Sequence, residues 1–263
     1  MPAVGVDYYR SLWGPMPAGR DISSLPAVCA ATIERGYVGI EVNPLFWGDN
    51  VDEGRRIVAD HGLRFLARAH TVGPDVASHV DWVRRCIDAS LAFGTPHVIV
   101  QSGSDAFSDG EIDDYFAQCA RLEAEFDVRL VHETHRGCIL YSPWVAARVL
   151  DRWPDLWLAA DYSHWVLVCE RVLDPDELAR FAPRVAHIDA RVGSQEAPQV
   201  ADPRVRPRLT EAFMTYWDAI RDAGNLRTVV PEFGAPPYAP VDSADLDDVN
   251  QWMADQLRAR WSA

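Results

Sequence analysis

The sequence predicts a single-domain (β/α)8 TIM barrel, an α/β fold that spans residues 1–263. Eight short apolar runs alternate along the chain with stretches of helical spacing. The runs have no polar face, which is typical of buried parallel strands covered by crossover helices, and eight such units in about 250 residues match the size of this barrel. The alternative, an open doubly wound sheet, usually has a Gly-rich phosphate-binding turn after its first strand, and Trp-Gly-Pro at residues 13–15 is not such a turn.

The first four strand–helix units follow from short apolar runs and from helical spacing. The loop after the first run is rich in Gly and Pro, and either Ser23 or Ser24 is the expected cap of the next helix, with Pro26 in its first turn. A Gly-Thr-Pro turn at residues 94–96 ends the helix of the third unit. The predicted strands cover residues 4–6, 37–42, 63–69 and 97–101, and the predicted helices cover residues 52–61 and 75–93.

The second half of the chain repeats this pattern. Ser142 followed by Pro143 is typical of a helix start, with the serine as N-cap and the proline in the first helical position. A polar, Pro-rich stretch at residues 193–207 lies inside the seventh unit, and we interpret it as a long active-site loop. The predicted strands cover residues 128–133, 156–161, 185–189 and 227–232, and the predicted helices cover residues 111–126, 143–153, 174–181, 208–223 and 244–261.

Charge and composition exclude several classes of partner. The chain has 25 Lys and Arg against 39 Asp and Glu, a formal net charge of −14, which repels nucleic acid and anionic lipid. No apolar run has the length of a membrane span, and the N-terminus does not resemble a signal peptide. The five cysteines are scattered without a CxxC pair, which indicates neither a disulfide framework nor a thiolate zinc site. We expect a cytoplasmic protein, and self-association into a homo-oligomer stays open.

Four predicted strands end in carboxylates or imidazoles. The C-terminal strand ends of such a barrel form one rim, where catalytic groups lie, and alternation puts His187, Asp189 and Arg191 on one face of the seventh strand. A mixed shell of carboxylates and imidazole suits one divalent ion, with Mn²⁺ or Mg²⁺ favoured and Co²⁺, Fe²⁺ or Zn²⁺ as alternatives. The candidate ligands are Glu133, Asp161, His187 or Asp189, and Glu232. The competing interpretation pairs these buried carboxylates with Arg136, Arg191 or Arg227.

Other polar and aromatic side chains stand beside the same strand ends. Indole rings often form the walls of sugar pockets, and three of the ten tryptophans, Trp13, Trp47 and Trp165, lie beside predicted strand ends. The candidate substrate-binding residues are His70, Gln101, His135, Arg136, Arg191, Trp13 and Trp165.

Five motifs in fixed order resemble the xylose-isomerase-like TIM barrels, the AP endonuclease family 2 superfamily. This superfamily groups sugar (phosphate) isomerases and epimerases, inosose dehydratases and endonuclease IV. The likeness runs over most of the chain, from the Glu41 segment at residues 39–41 to residues 231–238. Each motif is weak alone, and the order of all five is what makes the resemblance specific. The motifs cover residues 101–105, 133–137, 161–165, 190–193 and 231–238.

The resemblance implies roles for individual residues. Glu133, Asp161 and Glu232 match metal ligands on the fifth, sixth and eighth strands, and His164 matches a histidine that contacts substrate. The seventh strand departs from the pattern, because Asp189 stands where the family usually has a metal-binding histidine. Either Asp189 binds the metal, or His187 does so in a shifted register, or the metal has been lost.

The leading hypothesis is a metal-dependent isomerase or epimerase that acts on a free sugar, a cyclitol or a sugar derivative. A metal-bound enediolate would form, with Glu133 and Glu232 as acid and base, and with His164 and Arg191 orienting hydroxyl groups. A lyase on a keto-sugar, inosose or keto-glycoside shares the first step and is the second hypothesis. An endonuclease IV-like hydrolase fits the charge poorly, and a non-catalytic binding barrel is the fourth.

Overall fold

Eight parallel strands close into a barrel in the computed structural model of the chain, which describes residues 5–13, 22–236, 238 and 245–262. Each strand pairs with the next along the chain, and the first pairs with the last, so the predicted fold class is confirmed. The strands are β1 (Asp7–Ser11), β2 (Gly39–Val42), β3 (Arg64–His70), β4 (Val98–Gln101), β5 (Leu130–Glu133), β6 (Trp157–Ala160), β7 (Val185–Asp189) and β8 (Thr228–Val230).

Helices follow the strands, and several of them begin at a residue whose side chain caps the first turn. Ser108 and Glu111 form a reciprocal capping box at the start of α4, and the Ser142 side chain caps α5 with Pro143 in the first turn. None of the helices in the described ranges is long and apolar enough to cross a membrane. The helices are α1 (Leu25–Glu34), α2 (Val51–Asp60), α3 (Val76–Ser90), α4 (Asp109–Phe126), α5 (Pro143–Arg152), α6 (Tyr162–Val168), α7 (Pro175–Ala179), α8 (Pro207–Asp222) and α9 (Leu246–Ser262).

Two elements differ from the prediction. The first strand is Asp7–Ser11 and not residues 4–6, of which residue 4 lies outside the described part of the chain. It was missed because polar residues interrupt it: Arg10 is buried in an ion pair with Asp247, at 2.6 Å, instead of facing solvent. Helix α6 was not predicted, because it is short and begins directly at Asp161, which was assigned to a strand.

The barrel separates two apolar layers. Most of the core lies between the strands and the helices, and a smaller cluster that includes Leu66, Ile99 and Val131 fills the interior of the barrel. Because side chains alternate along a strand, Arg68 and Glu133 lie one step further toward the C-terminal rim, on the same face as Leu66 and Val131. The apolar interior therefore gives way to charged residues just below the rim.

Candidate active site

A cavity of about 280 Å³ opens among the C-terminal ends of the strands. Its wall contains two arginines, Arg68 and Arg191, and two carboxyl groups, Glu41 and Glu232. Five of the predicted substrate-binding residues line it: Trp13, His70, Gln101, His135 and Arg191. The remaining lining residues are Ser11, Val42, Asn43, Phe46 and Tyr238.

Arg68 lies at the centre of the charged layer and is only 2% exposed. Its Nε donates to Glu41 at 2.6 Å, its Nη1 donates to Glu133, and its Nη2 donates to Asp189. Glu232 lies 3.5 Å from the same Nη2. One guanidinium group therefore holds carboxyl groups that come from β2, from β5, from β7 and from the segment after β8.

Arg191 is the second buried cation of the site. Its Nη2 donates to Asp161 and to His164 Nε2, the latter at 3.0 Å. Its Nη1 lies 3.4 Å from Glu232 Oε2. Glu232 therefore lies between the two guanidinium groups, and every predicted carboxylate ligand contacts an arginine. The pairing with Arg191 is one that the sequence suggested, whereas the pairing with Arg68 was not foreseen.

Burial and the arginines act in opposite directions on the carboxyl groups. Burial raises the pKa of Glu133 to about 8 and that of Glu232 well above its usual range, although Arg68 works against both shifts. Burial also tends to raise the pKa of Asp189, but Arg68 and His187 together hold it below its usual range. Although burial disfavours the charge of Arg68, the carboxylates of Asp189, Glu41, Glu232 and Glu133 keep its pKa well above the ordinary value.

The hydrogen-bond network assigns the proton of each histidine at the site. Arg191 donates to His164 Nε2, so the neutral His164 carries its proton on Nδ1. His135 Nδ1 donates to the backbone carbonyl of Arg136, and His135 Nε2 accepts from the Tyr238 hydroxyl at 3.1 Å. Burial lowers the pKa of His135 to about 3 and that of His164 well below the usual range.

The hydrogen bonds of the seventh strand bear on its two candidate ligands. His187 Nδ1 lies 2.7 Å from Thr228 Oγ1, and His187 Nε2 lies 3.0 Å from Asp189 Oδ1. Both ring nitrogens of His187 are therefore used within the barrel interior. Asp189 Oδ1 also accepts from Arg68, and Asp189 Oδ2 is buried without a protein partner.

A divalent cation does not fit the predicted shell of carboxylates. A metal would compete with Arg68 for oxygens of Glu133 and Asp189, and with Arg191 for Asp161. Within the described residues, Glu133, His135 and His164 form a candidate metal-binding triad. Each offers one possible ligand atom, and these three atoms lie within 4.8 Å of one another. In this triad Glu133 Oε1 is unpartnered, whereas the Nε2 atoms of both histidines accept hydrogen bonds and their Nδ1 atoms carry protons.

Several predicted site residues lie outside the cavity wall. Glu133, Asp161, His164 and Asp189 are fully buried and do not line the cavity, and each of them contacts Arg68 or Arg191. Trp165 corrects the expectation of a pocket residue: it is buried in the core, where its Nε1 donates to the Leu140 carbonyl at 2.8 Å.

Arg136 lies behind one aromatic residue of the wall. Its guanidinium group is 4.8 Å from the centre of the Tyr238 ring, and it is not itself a lining residue. Arg136 was predicted to bind substrate, but the structure places it against Tyr238 and outside the cavity wall.

The most important residue that the sequence analysis missed is Arg68. A signal for it was available, because Arg68 shares a strand face with His70 inside an otherwise apolar run. A charged residue at an interior position of a buried strand needs a partner of opposite charge. Arg68 lies in none of the motifs at the strand ends. Glu41 and Tyr238 lie within the segments 39–41 and 231–238, but neither was assigned a role of its own.

Trp13 and Tyr238 form the aromatic wall of the cavity. Their rings meet edge to face, with centroids 4.9 Å apart, and Arg191 lies 5.0 Å from the centre of the Tyr238 ring. A Cβ atom at Gly234 would lie 2.1 Å from the Trp13 ring. Only glycine therefore lets the backbone after β8 pass so close to this wall.

Comparison with known proteins identifies similar folds. The family model of the xylose isomerase-like TIM barrel matches residues 29–200. No curated protein matches the chain. Three of the solved structures that match show the same fold with different activities. D-allulose 3-epimerase from Methylomonas has a TM-score of 0.69 and 15% identity, covering 98% of this chain and 99% of that one.

The other two solved structures carry different activities on this fold. A probable 3-DHS dehydratase from Bacillus anthracis has a TM-score of 0.60 and 13% identity, covering 96% of this chain and 98% of that one. Endonuclease IV from Thermus thermophilus has a TM-score of 0.62 and 14% identity, covering 98% and 99%. At these identities the likeness extends to the fold, and the function has to be argued from the site.

Proposed function

Because the chain belongs to the xylose isomerase-like TIM barrel family, we propose that it is an isomerase or epimerase of a sugar, cyclitol or sugar derivative. One observation carries the proposal: the Glu232 carboxyl group lines the cavity between two guanidinium groups. A carboxylate can take a proton from a carbon next to a carbonyl group, and guanidinium groups can stabilise the oxyanion that forms.

The reaction follows from the positions of these groups. Glu232 takes the proton, and the electron pair of the C–H bond moves to the carbonyl oxygen, where N–H groups of Arg68 and Arg191 face the developing charge. Protonation of the same carbon from the other face, by Glu41, gives the epimer. Protonation of the former carbonyl carbon gives the isomer, and the proton of the neighbouring hydroxyl group then moves to the former carbonyl oxygen. Because Glu133 does not line the cavity, we assign Glu232 and Glu41 as acid and base, and Glu133 as a residue that positions Arg68.

The cavity supports a small polar substrate. Its volume of about 280 Å³ lies just below the range of ordinary ligand pockets and matches a single sugar ring better than an extended polymer. Its wall combines charges of both signs with the Trp13 and Tyr238 rings, as a neutral polyhydroxylated ligand needs. The net charge of −14 works against a nucleic-acid substrate.

Mn²⁺ or Mg²⁺ at Glu133, Asp161, His187 or Asp189, and Glu232 stays a prediction from the sequence. A divalent ion would polarise the carbonyl group and stabilise the enediolate. The same carboxyl groups contact arginines, so two assignments of the positive charge compete at this site. The acid and base roles of Glu232 and Glu41 are common to both.

Elimination from a keto-sugar or inosose is the second candidate function. It begins with the same proton abstraction, and it then needs an acid that protonates the leaving oxygen. A second carboxyl group in the cavity wall, that of Glu41, supports this alternative.

Proton exchange in deuterated water tests the proposal. The purified protein is incubated with a panel of ketoses, keto-glycosides and inososes, with a chelator in one series and Mn²⁺ in another. We expect deuterium to enter the carbon next to the carbonyl of one panel member, and we expect Glu232→Gln to abolish that exchange. The surface variant Glu125→Gln, which loses an exposed ion pair with Arg84, is the matched control.

Each result of this assay has a distinct meaning. Exchange without net elimination supports the isomerase or epimerase, whereas growth of the ultraviolet absorbance of an unsaturated ketone supports the lyase. Exchange that persists in Glu232→Gln would contradict the assignment of Glu232 as the base. If the wild-type protein exchanges no proton of any panel member, both proposed functions are contradicted.

A further inference from the structure

We propose that the guanidinium group of Arg68 takes the place of a divalent cation in this barrel, so that the site works without a metal. Arg68 then supplies the positive charge that faces the substrate oxygen. This inference rests on the proposed function for its catalytic part, whereas the absence of a metal requirement can be tested separately.

The first argument is the set of contacts at the centre of the site. Carboxyl groups from four places around the barrel, Glu41, Glu133, Asp189 and Glu232, all converge on Arg68. A guanidinium group is planar and has five N–H donors, which match carboxylate oxygens better than any other protein cation does. The carboxyl groups therefore already have the cation that brings them together.

The second argument is competition for space and charge. A metal ion binds carboxylate oxygens at about 2.1 Å, but the Arg68 nitrogens are already hydrogen-bonded to oxygens of Glu41, Glu133 and Asp189. Binding of the ion would require Arg68 to leave, or would bring a dication against a guanidinium group in a buried layer. Both carry a large electrostatic cost.

The third argument concerns Asp189. A carboxylate is the natural partner of a guanidinium group, and Asp189 accepts from Arg68 and from His187 through the same oxygen. His187 is in turn tied to Thr228. The seventh strand is therefore organised to hold the arginine: Asp189 contacts Arg68, and the His187 imidazole contacts Asp189.

The fourth argument excludes the nearby triad as a replacement site. Arg191 donates to His164 Nε2, which leaves the proton of the neutral ring on Nδ1. Binding of a metal through Nδ1 would move that proton to Nε2, where an Arg191 nitrogen lies at 3.0 Å, nearer than Asp161 Oδ2 at 3.4 Å. Two of the three ligands, Glu133 and His164, also contact the buried arginines directly.

Arg68 is able to reach a substrate. Unlike Glu133 and Asp189, it lines the cavity. Its three nitrogens carry five N–H groups, of which the short hydrogen bonds to Glu41, Glu133 and Asp189 use three. Donors therefore remain for a carbonyl or hydroxyl oxygen of the substrate, beside the Glu232 carboxyl group.

Metal analysis of the full-length wild-type protein is the first test. We expect elemental analysis to find far less than one equivalent of any divalent metal, and titration with Mn²⁺ followed by electron paramagnetic resonance to find no tight site. Chelator should leave the proton exchange rate unchanged. One equivalent of tightly bound metal, or an exchange rate that depends on added Mn²⁺, would overturn the proposal.

A designed gain of metal binding is the second test. In the double variant Arg68→Met with Asp189→His, the cation is removed and an imidazole ligand is supplied. We expect it to bind one Mn²⁺ and to melt at a higher temperature with Mn²⁺ than without. The control is Arg64→Met on the same strand, where Arg64 forms an exposed pair with Asp7; this variant should bind no Mn²⁺.

A third variant covers the case in which the double variant does not fold. Arg68→Lys keeps the charge but not the planar fork, and we expect it to lower kcat for exchange at least 10-fold, about 1.4 kcal/mol, with a smaller effect on KM. Unchanged kcat would contradict the catalytic role of Arg68. A wild-type protein that lacks both metal and exchange would contradict the proposed function and would leave the replacement of the metal by Arg68 intact.

Discussion

Arg68 and Arg191 divide five buried carboxyl groups between them, and Glu232 contacts both. Removal of one partner from such a cluster leaves a buried charge without compensation, which typically costs roughly 3–5 kcal/mol in the free energy of unfolding. The cluster therefore constrains substitution more strongly than the ion pairs at the surface, which contribute about 1 kcal/mol or less. Its residues are coupled, so effects of their substitutions should not add.

The close approach of Gly234 to Trp13 gives a prediction about substrate affinity. In Gly234→Ala the new Cβ would lie 2.1 Å from the Trp13 ring, so the ring must leave its place in the cavity wall. Loss of one aromatic contact corresponds to about 1 kcal/mol, or roughly a fivefold increase in KM for proton exchange. The increase is measured by steady-state kinetics on the substrate found in the exchange panel.

Gly110→Ala is the control for this prediction. Gly110 lies in α4, where a Cβ atom would have open space within 4 Å, and alanine favours a helix over glycine. An equal increase of KM in both variants would contradict the assignment of Trp13 to the substrate wall.

At this scale the sequence predicted the residue types of the site but not their partners. Glu133, Asp161 and Glu232 could be chosen because each follows an apolar run. Arg68 could not be matched to Glu133 and Glu232, because its contacts join residues far apart in the chain, such as Asp189 at 121 positions and Glu232 at a still greater separation. Such distances depend on the closure of the whole barrel and on side-chain direction, which local patterns do not carry.

Among the elements, those with end signals were predicted best. Helices α4 and α5 directly follow Ser108 and Ser142, whose side chains cap the first turn as such serines usually do. Strand β1 and helix α6 lacked those signals: Arg10 interrupts the apolar pattern of β1, and α6 is buried on most sides, so it has no polar face that repeats with the helical period. Tertiary contacts, not local preference, fix both elements.

The capping box of α4 predicts a moderate loss of stability. Ser108→Ala removes the side-chain acceptor for the Glu111 N–H and the donor to the Glu111 carboxylate. We expect a loss of about 1 kcal/mol in the free energy of unfolding, or roughly 2–4 °C in Tm, by urea and thermal unfolding. Thr215→Ala, which removes an exposed hydroxyl inside α8, should change stability much less, and similar losses in both would argue against the cap.

For the molecule as a whole, the sequence predicted the closed barrel but not the burial of His97. This histidine begins the predicted fourth strand, and it is only 3% exposed, with Nε2 at 3.1 Å from Thr228 Oγ1. Burial lowers its pKa to about 3. The partner, Thr228, lies on β8, 131 positions further along the chain, so this contact depends on closure of the barrel and not on a local pattern.

This burial predicts that stability falls in acid. Between about pH 6.5, where an unfolded histidine takes up a proton, and about pH 3, the unfolded chain binds a proton that the folded His97 does not. The unfolded state is therefore favoured as the pH falls, by up to about 1.4 kcal/mol for each pH unit. Urea unfolding from pH 7.5 to pH 4.5 should show a shallower loss in His97→Gln than in the wild type, and parallel curves would contradict the prediction.

The contact between Arg68 and Asp189 also bears on how such a barrel can evolve. A change at either position alone leaves an ionised group without a partner in the interior. An ancestor could therefore exchange a metal site for an arginine–carboxylate pair only through paired mutations or through a less stable intermediate. Descendants of a common lineage should therefore carry linked residues at positions 68 and 189: arginine together with an acid, or neither. A large collection of homologous sequences in which the two positions vary independently would speak against that history.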